Sequence, residues 1–496
     1  MKASFVTTPI SGIIGLEMIT FVEPLGLECV AGALEAEGHD CQIVDLRIDG
    51  LEPGLDKIRR FGPGLIGIQC MFTTQRFRVV RLAERMRREF PDAFLIIGGH
   101  DASRQPEWFL RSGADAVALG DGEEVMPDLV RALAEGRDPA KVPGLVLNRS
   151  GAPFATGAAP RRKHIDELAL PARHLIKEYA DQYYINFRRP LALMETARGC
   201  PFKCNFCSVW KFHESTFREK SAARVVEELG QIEAPNVFIT DDIFWLDVKR
   251  SGELAEAIKA SGIRKHFNVQ TRSDIVCKFP FLVEQWKECG KITVFLGLES
   301  IDDEGLNLVN KSNTAENNDE AIRILQDLGV GYTPNFIVDP GWDREHFDNL
   351  KRWIDKTGAY NAGFSILTPL PGTDLWETSK YDVTTEDWEL YDIAHTVLPT
   401  RLPLAEFYKE YCGLWQHALD TRYRIGGRLK TNLGILAALA TRRVTVGAMR
   451  RGMRMGKSLS DPSRFLKGHE QSPVRLDRYA DLVEGLPKRP KLELAS

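Results

Sequence analysis

The first 150 residues alternate short, wholly apolar runs with longer stretches whose apolar positions recur at helical spacing. The runs are Ser4–Thr7, Cys41–Leu46, Leu65–Cys70, Phe94–Ile97 and Ala116–Leu119, and Pro24–Glu37 and Arg76–Phe90 are the helical stretches. A strand that is apolar on both sides has no solvent face. The pattern therefore predicts a parallel sheet covered by helices on both faces, Rossmann-like or flavodoxin-like in layout. Ligands of such sheets lie beyond the carboxyl ends of the strands. That places interest on Met71–Thr74, Gly98–Ser103 and Gly120–Glu124, whose small residues and hydroxyls let a large flat ligand approach the backbone. No G-x-G-x-x-G opens the first helix, which argues against a dinucleotide.

From Leu191 the alternation resumes with a longer period. Strands are expected at Leu191–Ala197, Val237–Asp241, Phe267–Thr271, Thr293–Leu298, Asn335–Val338 and Gly363–Thr368, with helices between them. Six such units predict a partial (β/α)6 barrel whose reactive face is built at the carboxyl ends of its strands. The expected division is residues 1–147 for the sheet domain, 148–190 for a linker, 191–400 for the barrel and 401–496 for a mostly helical basic region. Gly151, Pro153, Gly157 and Pro160 mark the linker, and Leu168–Tyr179 within it has a helical pattern broken early by Pro171.

At 496 residues, 43% hydrophobic and 27% charged, the chain is an α/β protein with at least two cores. No apolar run approaches the roughly 20 residues needed to span a bilayer. The apolar stretch Ile13–Val22 is interrupted by Glu17, unlike a secretory signal. Nine cysteines without framework spacing fit a reducing, cytoplasmic setting. Charge is unevenly placed. Between Arg422 and Lys467 there are twelve lysines and arginines against one acid, Asp461, so the rest of a chain of net charge −4 is strongly acidic. A basic helix striped with Leu433–Leu439, Met449, Met453 and Met455 suits the face of an anionic membrane or a solvated lid. Sparse aromatics disfavour nucleic acid.

The sharpest chemistry is Glu195-Thr-Ala-Arg-Gly-Cys200-Pro-Phe-Lys-Cys204-Asn-Phe-Cys207. Three thiolates at C-x3-C-x2-C on one loop can hold three irons of a four-iron cluster and leave the fourth open. Zinc or three core thiols are the competing readings. With Phe206 in the aromatic slot, the motif resembles the signature of the radical S-adenosylmethionine (SAM) superfamily. The resemblance implies that Cys200, Cys204 and Cys207 hold a 4Fe-4S cluster whose open iron binds SAM. It continues through Thr240-Asp241-Asp242, Gln270-Thr271-Arg272, Gly297-Leu298-Glu299-Ser300, Pro334-Asn335 and Thr368-Pro-Leu-Pro-Gly-Thr373. This implies SAM contacts from Phe206, Asp241, Asp242, Arg272, Glu299, Ser300 and Asn335.

The domain order resembles the cobalamin-dependent branch of that superfamily. It implies corrin contacts from Thr73, Thr74, Gly98, Gly99, His100, Gly120, Gly122 and Glu123. The D-x-H-x-x-G motif that supplies a cobalt-ligating histidine in other cobalamin proteins is absent, and His100 is expected to orient its neighbours instead. The implied activity is radical methylation of an unactivated carbon, with an external one-electron reductant and no protein acid or base. Glu23–Glu28, Asn335–Asp339 and Leu402–Tyr408 are similar to the hopanoid C-3 methylases, which implies a polycyclic lipid substrate. Cyclases and methylases of magnesium porphyrins, bacteriochlorophylls or antibiotic precursors share the two domains. A non-enzymatic corrin sensor with structural metal is the reading of another class.

Overall fold

The computed structural model describes residues 1–9, 20–186, 188–426, 454 and 456–470. Seven strands form the first sheet: β1 (Lys2–Val6), β2 (Asp40–Val44), β3 (Leu65–Gln69), β4 (Phe94–Gly98), β5 (Ala116–Ala118), β6 (Leu145–Arg149) and β7 (Ala152–Ala155). Their order is β2-β1-β3-β4-β5-β6-β7, parallel through β5 and antiparallel beyond it. Of the two layouts expected, the 2-1-3-4-5 order is the flavodoxin-like one, and the strand order reverses between β1 and β3. All five expected runs became strands because each is buried from both sides. Ile66, Ile68, Leu95 and Ile97 pack on one helical layer, and Phe5, Leu65 and Ile96 on the other.

The second sheet is six parallel strands hydrogen-bonded in chain order: β8 (Leu191–Met194), β9 (Asn236–Ile239), β10 (Lys265–Arg272), β11 (Gly290–Glu299), β12 (Gly331–Val338) and β13 (Gly363–Ile366). Helices α1 (Ala222–Gly230), α2 (Val248–Ser261), α3 (Ala315–Asp327) and α4 (Arg344–Thr357) accompany it, and their apolar faces make one core with Val269, Val294, Leu296 and Phe336. This is the partial barrel that the six-unit alternation predicts. Helix α5 (Leu404–Gly426) packs on α4, so the last strand does not stand bare.

The connector differs from expectation. Leu168–Tyr179 forms no α-helix but a short 3-10 turn at Arg173–Ile176. Pro171 removes a helical donor. The backbone is also claimed elsewhere: Ala172 N–H donates to the Glu28 carbonyl, and Arg173 donates to Glu23, Glu228 and the Leu193 carbonyl. The 147/148 division falls inside β6, whose hairpin with β7 extends the first sheet. Of the basic C-terminal region, Leu404–Gly426 and Pro462–Glu470 are helical, and Leu433–Leu439, Met449, Met453 and Met455 lie outside the described residues.

Candidate active site

The cysteine loop leaves β8 through a closed neck. Ala197–Arg198 pairs antiparallel with Arg218–Glu219, so Gly199 to Phe217 is a loop tied at its base. Gly199 has φ 93°, and a Cβ there would stand 2.1 Å from the Thr216 carbonyl oxygen. Only glycine fits that crossing. The aspartates that follow β9 hold the same neck. Asp241 is buried and accepts from the Thr196 N–H at 2.6 Å and from the Thr196 hydroxyl, while Asp242 accepts from the Gly199 N–H at 2.9 Å. Burial raises both carboxyls, Asp241 to about 6 and Asp242 to about 7. Asp241 is thus occupied by the loop, whereas Asp242 keeps a partly exposed carboxylate with His213 Nε2 3.8 Å away.

Within the loop Cys204 is buried, and Cys200 and Cys207 are half-buried. Burial raises all three thiols, Cys207 to about 12, and each feels the negative charge of another cysteine or a nearby carboxylate; Lys311 and Arg272 pull Cys204 back. Three thiolates here require added positive charge, which iron would supply, so the donor set fits a cluster. Among the described residues no three His, Cys, Asp or Glu side chains converge on one metal ion. A cubane, which takes one thiolate per iron, does not need them to.

Arg272 is a clamp. Its guanidinium stacks on Phe202 at 3.8 Å and donates to the carbonyls of Lys311 and Ser312 and to Asp274. It binds the cysteine loop to the loop after β11 instead of standing open for a ligand carboxylate. Asn205 and Asn310 reinforce that joint through the Leu308 and Lys203 carbonyls.

Glu299 ends β11 in the left-handed region, φ 64°, at a register shift against β12, and its carboxylate meets Lys311 Nζ at 2.6 Å. Such a backbone is uncommon for a non-glycine residue and turns the side chain out of the strand's alternation. Glu299 and Ser300 line a cavity with Leu308, Val309, Ile337, Asp339, Trp342 and Leu367, at the carboxyl ends of β11, β12 and β13. Asn335 is half-buried, donates to the Thr333 carbonyl, and has its Oδ1 where a Cβ on Gly363 would lie. No hydrogen bond places Phe206; its half-buried ring lies between Cys204 and Cys207 in the loop.

The carboxyl ends of the first sheet face this loop. His100 Nε2 lies 2.7 Å from Ser208 Oγ, with its ring 4.5 Å from that of Phe212. Burial and the Arg104 charge lower His100 to about 4, so it is neutral and already engaged with Ser208. Glu123 accepts from Arg198 in the neck of the cysteine loop, and Asp121 accepts from Arg218 at 2.7 Å. Glu123 therefore joins domains. Thr73 donates to Asp101 at 2.8 Å, and Thr74 accepts from Arg78 through its carbonyl. Gly99 has φ 119° with a virtual Cβ 2.4 Å from the Cys70 carbonyl oxygen. Gly98 ends β4, while Gly120 and Gly122 pass close to Ala159 and Val30.

Sequence reading assigns no role to Arg218 and Arg104, which carry charge between the loops, or to Arg198 within the cysteine stretch. Apart from the Arg198–Glu195 pair, their partners are remote in sequence, so no motif marks them. Arg198 lies within the Glu195-Thr-Ala-Arg-Gly-Cys200 stretch, and its place beside Gly199 is the one available signal.

Comparison with known proteins agrees with this arrangement. The B12 binding domain model matches residues 13–130, and the Radical SAM superfamily model matches residues 194–354. Hopanoid C-3 methylase of Methylococcus capsulatus is 36% identical over 424 residues, 82% of this chain and 80% of its own. An anaerobic magnesium-protoporphyrin IX monomethyl ester cyclase of Rubrivivax gelatinosus is 28% identical over 77% of this chain and 71% of its own. Among solved structures, the cobalamin-dependent SAM radical enzyme OxsB superposes with a TM-score of 0.66 at 15% identity, covering 97% of this chain and 83% of its own. The radical SAM methyltransferase TsrM of Kitasatospora setae superposes with a TM-score of 0.59 at 19% identity, covering 77% and 78%. With the two domain models matched in this order and a 36% identical methylase aligned through both, the chain belongs to the cobalamin-dependent radical S-adenosylmethionine methyltransferases.

Proposed function

We propose that this enzyme methylates C-3 of a hopanoid, a flat polycyclic lipid. The observation that carries the reading is the 36% identity to a hopanoid C-3 methylase through both domains. Apolar surface in the right places supports it. Phe72 is 60% and Met71 37% exposed in the loop after β3, and Phe295, 42% exposed, lies on the face of β11 opposite the core residues Val294 and Leu296. A hydrocarbon ring system is held by such surfaces without hydrogen bonds.

In this reading the first sheet, which runs on through β7, carries the corrin, residues 191–400 form the radical barrel, and the connector after β7 keeps the two together. Cys200, Cys204 and Cys207 hold the cluster. Asp242, Glu299, Ser300 and Asn335 receive SAM, with Asp241 and Arg272 holding the loops those groups stand on. Thr74, Gly98, Gly99 and Gly120 stand at the carboxyl ends of the first sheet, where the corrin would lie. When bound, the cluster with SAM supplies radical chemistry and the cobalamin a transferable methyl group. The protein's own task is to align the reactants and keep water out. An external donor supplies the electron, and the basic C-terminal region brings the enzyme to the anionic membrane surface where its substrate resides. Among the described residues no helix is long and apolar enough to cross a membrane.

Expression in a hopanoid-producing host that lacks the methylase tests the substrate. The expected product is a hopanoid with one added methyl on its first ring, seen by mass spectrometry of the lipid extract. Unchanged hopanoids, from cells whose purified enzyme forms 5′-deoxyadenosine and S-adenosylhomocysteine, would refute the lipid assignment and turn attention to magnesium porphyrins.

A further inference from the structure

The corrin-side loop grips the cysteine loop at the residue after its third cysteine. Arg104 Nη2 donates to the Ser208 carbonyl at 2.5 Å, and its guanidinium lies 5.4 Å from the Phe212 ring centre. The slot for this side chain is built into the barrel. Gly372, at φ 86° in the Pro369–Gly372 turn, would with a Cβ approach Arg104 Cδ to 2.7 Å and Nε to 3.1 Å. Burial disfavours the guanidinium charge, and the negative groups it feels are Cys207 first and Asp101 second. Asp101 is already paired with Arg76 at 2.6 Å. Arg104 Nε is buried without a hydrogen-bond partner. A half-buried cation has therefore been brought from one domain to the backbone carbonyl next to Cys207 in the other, and among the described residues no carboxylate forms an ion pair with it.

We propose that Arg104 is an electrostatic positioning residue for the cluster, a cation of the corrin domain that seats beside Cys207 when the domains are docked and raises the cluster's reduction potential. This rests on the reading that Cys200, Cys204 and Cys207 hold the cluster. Reduction adds one negative charge to the iron–sulfur core. A fixed positive charge at short range and low dielectric stabilises the reduced form more than the oxidised one. Docking of the corrin domain and the readiness of the cluster to accept its electron are thereby linked through one side chain. The guanidinium also fixes the Ser208 carbonyl, so the third cysteine is held in place by the same contact.

The test is a redox titration of the anaerobically reconstituted full-length enzyme, followed by electron paramagnetic resonance. Iron and sulfide content of the parent protein is read first. A parent that loads no cluster sinks the cysteine assignment, not the role of Arg104. With clusters loaded, Arg104→Gln is expected to titrate at a more negative potential than the parent, and Arg104→Lys at the parent value. Equal potentials for Arg104→Gln and the parent, at equal iron content, would overturn the proposal. Should Arg104→Gln fail to retain its cluster, Arg104→Lys decides. It keeps the charge without the guanidinium, so a parent-like potential sustains the proposal and a shift to more negative values overturns it.

Discussion

His100 shows how one side chain can be chemically silent and still matter. Buried against Phe212 and beside the Arg104 charge, it is held to about 4 in the fold against an ordinary value of 6.5. The unfolded chain therefore takes up the proton first, and the folded protein loses stability as pH falls from 6.5 toward 4. Thermal melts across that range should show Tm falling with pH, and His100→Gln should flatten this part of the profile; an identical slope in the variant would place the titration elsewhere. His213, also lowered to about 4, contributes with the same sign. Asp242, raised to about 7, acts oppositely, since folding there favours the protonated form and its contribution declines as pH rises toward 7. Residues at this scale were only half legible in sequence. The cysteine spacing is a local signal, whereas the loop contacts of Asp241 and Arg272 are not, because a charged side chain's partner is not encoded in its local motif.

At the scale of elements, the cysteine loop between β8 and α1 is held by its neck. Its geometry requires Gly199, whose φ of 93° and contact with the Thr216 carbonyl exclude any side chain. Gly199→Ala should open the Ala197–Arg198 and Arg218–Glu219 pairing, at about 1–3 kcal/mol for the backbone strain alone. The measurement is iron bound per chain after reconstitution together with Tm; full iron content in the variant would show the neck dispensable. Strands were the most legible elements, since a run buried on both sides has little choice of conformation. The helix expected at Leu168–Tyr179 was not realised, because its backbone and Arg173 are engaged by Glu28, Glu23 and Glu228, groups from two other parts of the chain.

Across the whole molecule, the two domains are joined by buried charge. Arg198 reaches Glu123, Asp121 and Glu195 within 3.3 Å, Arg218 reaches Asp121, and all of these but Glu195 are less than a tenth exposed. Removing one partner of a buried network leaves uncompensated charge, so Arg198→Ala should destabilise by about 3–5 kcal/mol. Differential scanning calorimetry should resolve separate domain transitions in the variant; a single transition at the parent temperature would mean that apolar packing alone joins the domains.

By itself the sequence determined the two sheets, the parallel sense of their central strands and the close spacing of three cysteines on one loop. The sheets follow from burial patterns and the cysteines from their spacing, both local properties of the chain. Only the tertiary structure decided which charged groups remain available to a cofactor and which lock one domain to the other. Ion pairs and hydrogen bonds form between whatever the fold brings within about 3 Å, and residues such as Arg104 and Ser208, 104 positions apart, become partners only when both domains are in place.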